Sequence, residues 1–229
     1  MPLPGRKRRD DPPSITLRDI LLASVPLEKV ATSSQGFSGD SPWSHFAAAH
    51  WALRNGDHHA AIQQLRRVVQ MEGLEARVHL QAWHSLRELG EQAPPDMART
   101  LHGVVVEVGL KGGLDLVAAY SDYSARYYNY SGAGVVWERP RGDAEIDQLV
   151  DLILQSGQVV VDNSGPWRGA APSPPPEGRG RINLLTPGGL HFGEGNLDQM
   201  SKDPAGGRII SLALALMQTL IGKHHDQQR

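Results

Sequence analysis

The 229-residue chain has no cysteine, so disulfides, thiolate-bound zinc, iron–sulfur clusters and cysteine nucleophiles are all excluded. It also lacks an excess of either charge. With 23 basic and 25 acidic side chains its formal charge is -2, and no overall field draws it to nucleic acid or anionic lipid. Long apolar runs are missing too: the longest, Ile209 to Ile221, is interrupted by Ser211, Gln218 and Thr219 and falls short of the roughly 20 residues that span a bilayer. Near the start, Arg18 and Asp19 break Ile15 to Val25, which therefore does not read as a signal peptide. No nucleophile elbow, phosphate loop or cofactor fingerprint occurs. Gly132-Ala133-Gly134 precedes a strand where a dinucleotide loop needs a helix, and Gly206-Gly207-Arg208 has neither the spacing nor the lysine of a P-loop. The expectation is a cytoplasmic protein with no membrane span, no cofactor and no nucleic-acid partner.

What is present is 40% apolar residues, enough for a real core, in segments of changing character. Residues 1–14 carry the basic run Arg6 to Arg9 followed by Asp10, Asp11 and two prolines, and read as a disordered, solvated tail. Residues 15–101 read as helical. Ile15 to Val30 predicts one short helix. From Trp43 to Val69, Phe46, Ala49, His50 and Leu53, then Ala61, Ile62, Leu65, Val68 and Val69, recur at helical spacing on either side of Asn55-Gly56-Asp57, a helical hairpin. A second round runs through Leu74, Val78, Leu80, Ala82, Trp83, Leu86 and Leu89 to a C-cap at Gly90.

Leu53-Arg54 and Leu86-Arg87 stand 33 residues apart and Gly56 and Gly90 stand 34 apart, and WALRNGDHHAAIQQLRRVV places Trp51, Leu53, Gly56, Ala61 and Leu65 near the large and small positions of a helix–turn–helix unit. Over residues 42–92 the chain thus resembles a tetratricopeptide repeat. That resemblance implies a helical scaffold for binding peptides or proteins, without catalysis.

After Ala93-Pro94-Pro95 the pattern changes, and residues 102–229 read as a sheet domain. Val104, Val106, Val108 and Leu110 alternate with Val105, Glu107 and Gly109, and Lys111-Gly112-Gly113 turns the chain back. Further strands over Ala125 to Tyr130 and Val135 to Glu138 complete an antiparallel β-meander. Asp143 then caps a helix striped by Ile146, Leu149, Val150, Ile153 and Leu154, which Gly157 is expected to end, with Gln158 to Val161 as a buried strand. A Pro-rich loop at 163–180 reads as a flexible excursion. Two strands joined by Pro187-Gly188-Gly189 and a terminal helix begun by Asp203 and Pro204 finish an α+β fold, similar in its layering to profilin, longin and roadblock domains.

All five tyrosines fall between Tyr120 and Tyr130, and alternation places Arg126, Tyr128 and Tyr130 on one strand face with Tyr127 and Asn129 on the other. Tyrosine beside arginine is the composition of an interaction hot spot. Arg126, Tyr128, Tyr130, Tyr123 and Trp137 are therefore the expected partner-binding residues, and the expected function is a non-catalytic adaptor or assembly subunit that binds a protein or itself. The terminal helix, apolar on most faces, needs a cover from the sheet, the N-terminal helices or another subunit. For catalysis the best candidate is His191 with Glu194, an acid–base pair in a glycine-rich strand end, of a small hydrolase or transferase. A third reading is a small-ligand sensor with the sheet as its pocket and the Pro-rich loop as a lid. Ten histidines invite a metal, but His45 and His50, like His79 and His84, are five apart and point about 140 degrees away from each other on a helix, so no metal site is expected.

Overall fold

Side-chain caps start three of the N-terminal helices and left-handed glycines follow two of them. The computed structural model describes residues 15–33, 39–138 and 142–227, and the predicted tail at 1–14 lies outside them. Thr16 and Ser41, both in extended backbone, open α1 (Leu17–Leu21) and α3 (Pro42–Arg54) with capping boxes. Between them lies α2 (Leu27–Ser33). One helix was expected over 15–30, and two form, because Ala23 turns the chain with a φ of 49° and Pro26 lacks the amide a continuous helix would use. Asp57 caps α4 (His58–Gln70), followed by α5 (Ala76–Glu88) and the single turn α6 (Pro95–Ala98). The near-repeat has a plain geometric basis. Gly56 and Gly90 follow α3 and α5 with φ of 78° and 86°, so the same left-handed exit is used twice. The second round, however, continues only into four-residue α6, which leaves one full hairpin plus a third helix.

The fold is α+β. Six antiparallel strands, β1 (Gly103–Leu110), β2 (Gly113–Tyr120), β3 (Ala125–Tyr128), β4 (Gly134–Trp137), β5 (Arg179–Thr186) and β6 (Gly189–Asn196), lie in the order β4-β3-β2-β1-β5-β6. The first four make the expected meander, and the β5–β6 hairpin adds to the free side of β1. On one face Val104, Val106, Val117, Ala119, Ile182 and Leu184 meet α7 (Ala144–Asp162) and α9 (Gly206–Gln227), with the short α8 (Leu197–Met200) between sheet and α9. On the other face Val105, Leu116, Ala118, Tyr120 and Leu185 pack against Leu21, Ala23, Ala76 and Leu80 of the N-terminal region. Both faces of β1 are therefore covered, which accounts for its unbroken valine run.

Helix α7 continues through Gly157 into the segment expected as a strand. Ile153, Gly157 and Val161 are four residues apart and all buried on one face, and a Cβ on Gly157 would stand 2.7 Å from Leu101. Glycine here admits close packing and does not end the helix. The terminal helix finds its cover inside the chain: Ile209, Ala213, Leu216 and Leu220 face the sheet and α7. Among the described residues no helix is long and apolar enough to cross a membrane.

Candidate functional site

Strand pairing sets Glu194 of β6, Arg181 of β5 and Glu107 of β1 side by side on the face beneath the N-terminal helices. Fully buried Glu107 accepts two N–H bonds from Arg18 of α1, one of them 3.1 Å long, and further bonds from Arg181 at 3.5 Å and Asn183 at 3.0 Å. Arg181 also holds Glu194, whose carboxyl is kept below the usual range by bonds from Arg181 and Arg179. The charges thus form an ionic row that ties α1 to the sheet. Nearby, Tyr120 donates to the Leu21 carbonyl at 2.7 Å, Asp122 accepts the first amide of α5 at 2.8 Å, and Arg87 donates to the Pro187 carbonyl at 2.6 Å.

Beside this row the helices and the sheet enclose a cleft of about 620 Å³. Its floor is Leu185, Thr186 and Leu190, one wall comprises Leu22, Ala23, Leu80, His84 and Arg87, and the opposite wall is the segment Pro166 to Pro172. That segment belongs to the Pro-rich loop, which was expected to be a flexible excursion. It is instead a strap pinned across the sheet. The Trp167 amide donates to the Leu190 carbonyl at 2.6 Å, its ring packs edge-on against Phe192, and Arg181 reaches the Pro172 carbonyl at 3.4 Å. Gly178 donates to the Gly109 carbonyl at 3.0 Å, while a Cβ on Gly109 would stand 2.1 Å from the Pro176 carbonyl oxygen. Proline's fixed φ suits an extended strap, and glycine lets it lie directly on β1.

The expected partner-binding residues occupy unlike positions. Arg126 is buried, with Glu138 2.5 Å away, and Trp137 is a core side chain under α7 and α9. Tyr128 is half-buried beneath the N-terminal region, while Tyr123, at a φ of 64°, packs on the opposite core. Tyr130, 59% exposed in the β3–β4 turn, is the one member of the set presented to solvent.

Strand alternation sends His191 and Glu194 to opposite faces of β6, so they do not converge. His191 instead lies under the end of α7, its Nδ1 2.9 Å from the hydroxyl of Ser164. A serine beside a histidine has the form of an activated nucleophile. Its electrostatics oppose that role. Burial and then the Arg99 cation hold the His191 pKa below its ordinary value, where a general base must stabilise a proton. His45 is likewise committed, bridging Gln64 and Asp40 at 2.7 Å each. Among the described residues no three histidine, aspartate or glutamate side chains group as a metal site would require.

Sequence reading missed the ionic row and the cleft. The available signal was Glu107 inside VVVEV and Arg181 at the head of a buried strand, charges in otherwise apolar runs that need partners. No protein-family model matches the chain, no curated protein matches it, and no solved structure matches it.

Proposed function

We propose that this is a non-catalytic, cytoplasmic binding protein of the sensor type, which takes a small ligand in the cleft between its N-terminal helices and its sheet. One observation carries the reading: a concavity of about 620 Å³ lined by four separate parts of the chain, one of them a strap. Small-ligand sites fall at about 300 to 1,000 Å³ and favour such junctions. Ligand here would touch α1, α5 and the strap together, and its occupancy would stiffen their mutual seating. A thermal-shift screen of a metabolite library tests this. A ligand at a hundred times its Kd adds about 2.7 kcal/mol, and at about 2 to 4 °C per kcal/mol that raises Tm by about 5 to 11 °C. Ala171→Trp, which fills the cleft from the exposed strap, removes the shift. A library without a stabilising compound, or shifts that Ala171→Trp leaves intact, refutes the assignment.

A specific feature also favours the adaptor reading. Trp51 on α3 is 69% exposed, the most exposed large apolar side chain among the described residues, and tryptophan anchors many interfaces. Affinity purification with wild type, Trp51→Ala and Tyr130→Ala tests it: a partner lost with either variant supports the adaptor, and a wild type that recovers no partner and stays monomeric removes it.

A further inference from the structure

Within the cleft the ionisable groups divide into those already engaged and those with bonds to give. Arg18 is committed to Glu107, and Asp19 to the amide and hydroxyl of Thr16 in the α1 capping box. Arg87 is different. It donates one N–H to the Pro187 carbonyl, and no carboxylate among the described residues comes within ion-pair distance of it. Arg168, exposed on the strap across from it, has no ion pair or side-chain hydrogen bond among the described residues. The same cleft is lined by the apolar side chains of Leu80, Leu185 and Leu190 and by the indole of Trp167, which is 51% exposed although its Nε1 donates to the Ala170 carbonyl of the strap.

We propose that the cleft binds a small organic anion with a flat apolar body, its carboxylate taken by Arg87 and Arg168 and its body laid between Trp167 and the leucines. A guanidinium has five N–H donors in a planar fork that matches a carboxylate, so one carbonyl acceptor leaves Arg87 most of its capacity. A flat ring offers the indole a stacking partner at little entropic cost. The local titration behaviour agrees with this. Burial draws Arg87 down to about 10, as expected of a cation short of solvent, while Glu88 acts the other way from outside ion-pair distance. Burial and then Arg87 push the neighbouring His84 down to about 4, and Glu88, whose carboxyl burial pushes up, faces it at 3.6 Å. An anion set against Arg87 relieves that repulsion.

The assignment rests on the ligand-sensor reading and narrows it to one chemical class. Its test compares 2-naphthoate with neutral 2-naphthamide by titration calorimetry at pH 7.5, with the histidine resonances followed by NMR. The naphthoate binds at least tenfold tighter than the amide, and it raises the His84 titration midpoint. Arg87→Gln weakens the naphthoate about tenfold and the amide less than twofold. Arg168→Glu, a surface change that leaves the fold untouched, lowers naphthoate affinity several-fold and spares the amide. Equal affinity for acid and amide overturns the anion assignment while leaving the sensor reading in place. Naphthoate binding that survives both variants overturns the site, and no binding of either probe at millimolar concentration overturns the inference outright, with the metabolite screen then deciding the sensor reading alone.

Discussion

Replacing Glu107 with leucine removes the acceptor at the centre of the ionic row and leaves its donors in place. Glu107 has no solvent exposure, and the side chains of Arg18 and Arg181 retain only 11% and 4% of theirs. Arg181 keeps Glu194, but Arg18 and the Asn183 amide lose their carboxylate. Breaking a buried pair from one side costs about 3 to 5 kcal/mol, because the remaining charge stays desolvated. At about 2 to 4 °C per kcal/mol for a chain of this size, Tm falls by about 6 to 20 °C. Urea unfolding of wild type, Glu107→Leu, Arg18→Met and the double variant apportions the effect. The double variant recovers about 1 to 3 kcal/mol relative to the sum of the singles, since it no longer buries an unpaired guanidinium. Glu107→Leu within about 1 kcal/mol of wild type, or strictly additive singles, refutes the reasoning, because either result would mean that water reaches Arg18 and satisfies it.

Three other expectations are independent of any ligand. Gly109→Ala places a methyl into the Pro176 carbonyl and lifts the strap from β1, so limited proteolysis between residues 163 and 178 quickens while far-ultraviolet circular dichroism is unchanged; a cleavage rate equal to wild type would show that the strap is not held there. Tyr120→Phe leaves the buried Leu21 carbonyl without its donor and costs about 1 to 3 kcal/mol in urea unfolding, with loss below about 0.5 kcal/mol as the contrary result. Burial holds His102 and His84 at about 4, helped by His79 and Arg87 respectively, while the unfolded chain titrates them near 6.5. Below pH 6.5 the unfolded state therefore binds more protons, and stability present at neutral pH is lost as the pH falls towards 4. Denaturation midpoints between pH 7.5 and 4.5 record this decline, and His102→Gln makes it shallower; an unchanged slope would remove His102 from the account.

Local chemistry made much of the architecture legible. Alternation in Val104 to Leu110, the Lys111-Gly112-Gly113 turn, the Asp143 cap and the 3.6-residue period of α3 to α5 are each set by residues a few positions apart, and all reappear in the structure. Where reading failed, a distant contact decided. Gly157 has the local marks of a helix end, but Leu101 and Leu184 press against the site of its missing side chain and the helix runs on. Pro172 to Pro176 has the composition of a loose excursion, yet Gly109, 63 residues before Pro172 in the chain, gives it a bed on β1.

The tyrosine window shows the same division. Sequence alone settled that the rings point to both faces of a sheet, because alternation is a property of the strand itself. It could not settle which of those faces would be exposed. Both are covered, one by α7 and α9 and the other by helices that precede the sheet in the chain, and this buries Arg126 and Trp137 and leaves Tyr130 outside. From sequence alone came the absence of cysteine chemistry, the α+β order of elements and the positions of most turns. Tertiary structure alone decided that Glu107 meets Arg18 and Arg181, that His191 and Glu194 part company, and that Arg87 and Arg168 face one cleft, since each depends on which surfaces pack together, and packing is a property of the whole chain.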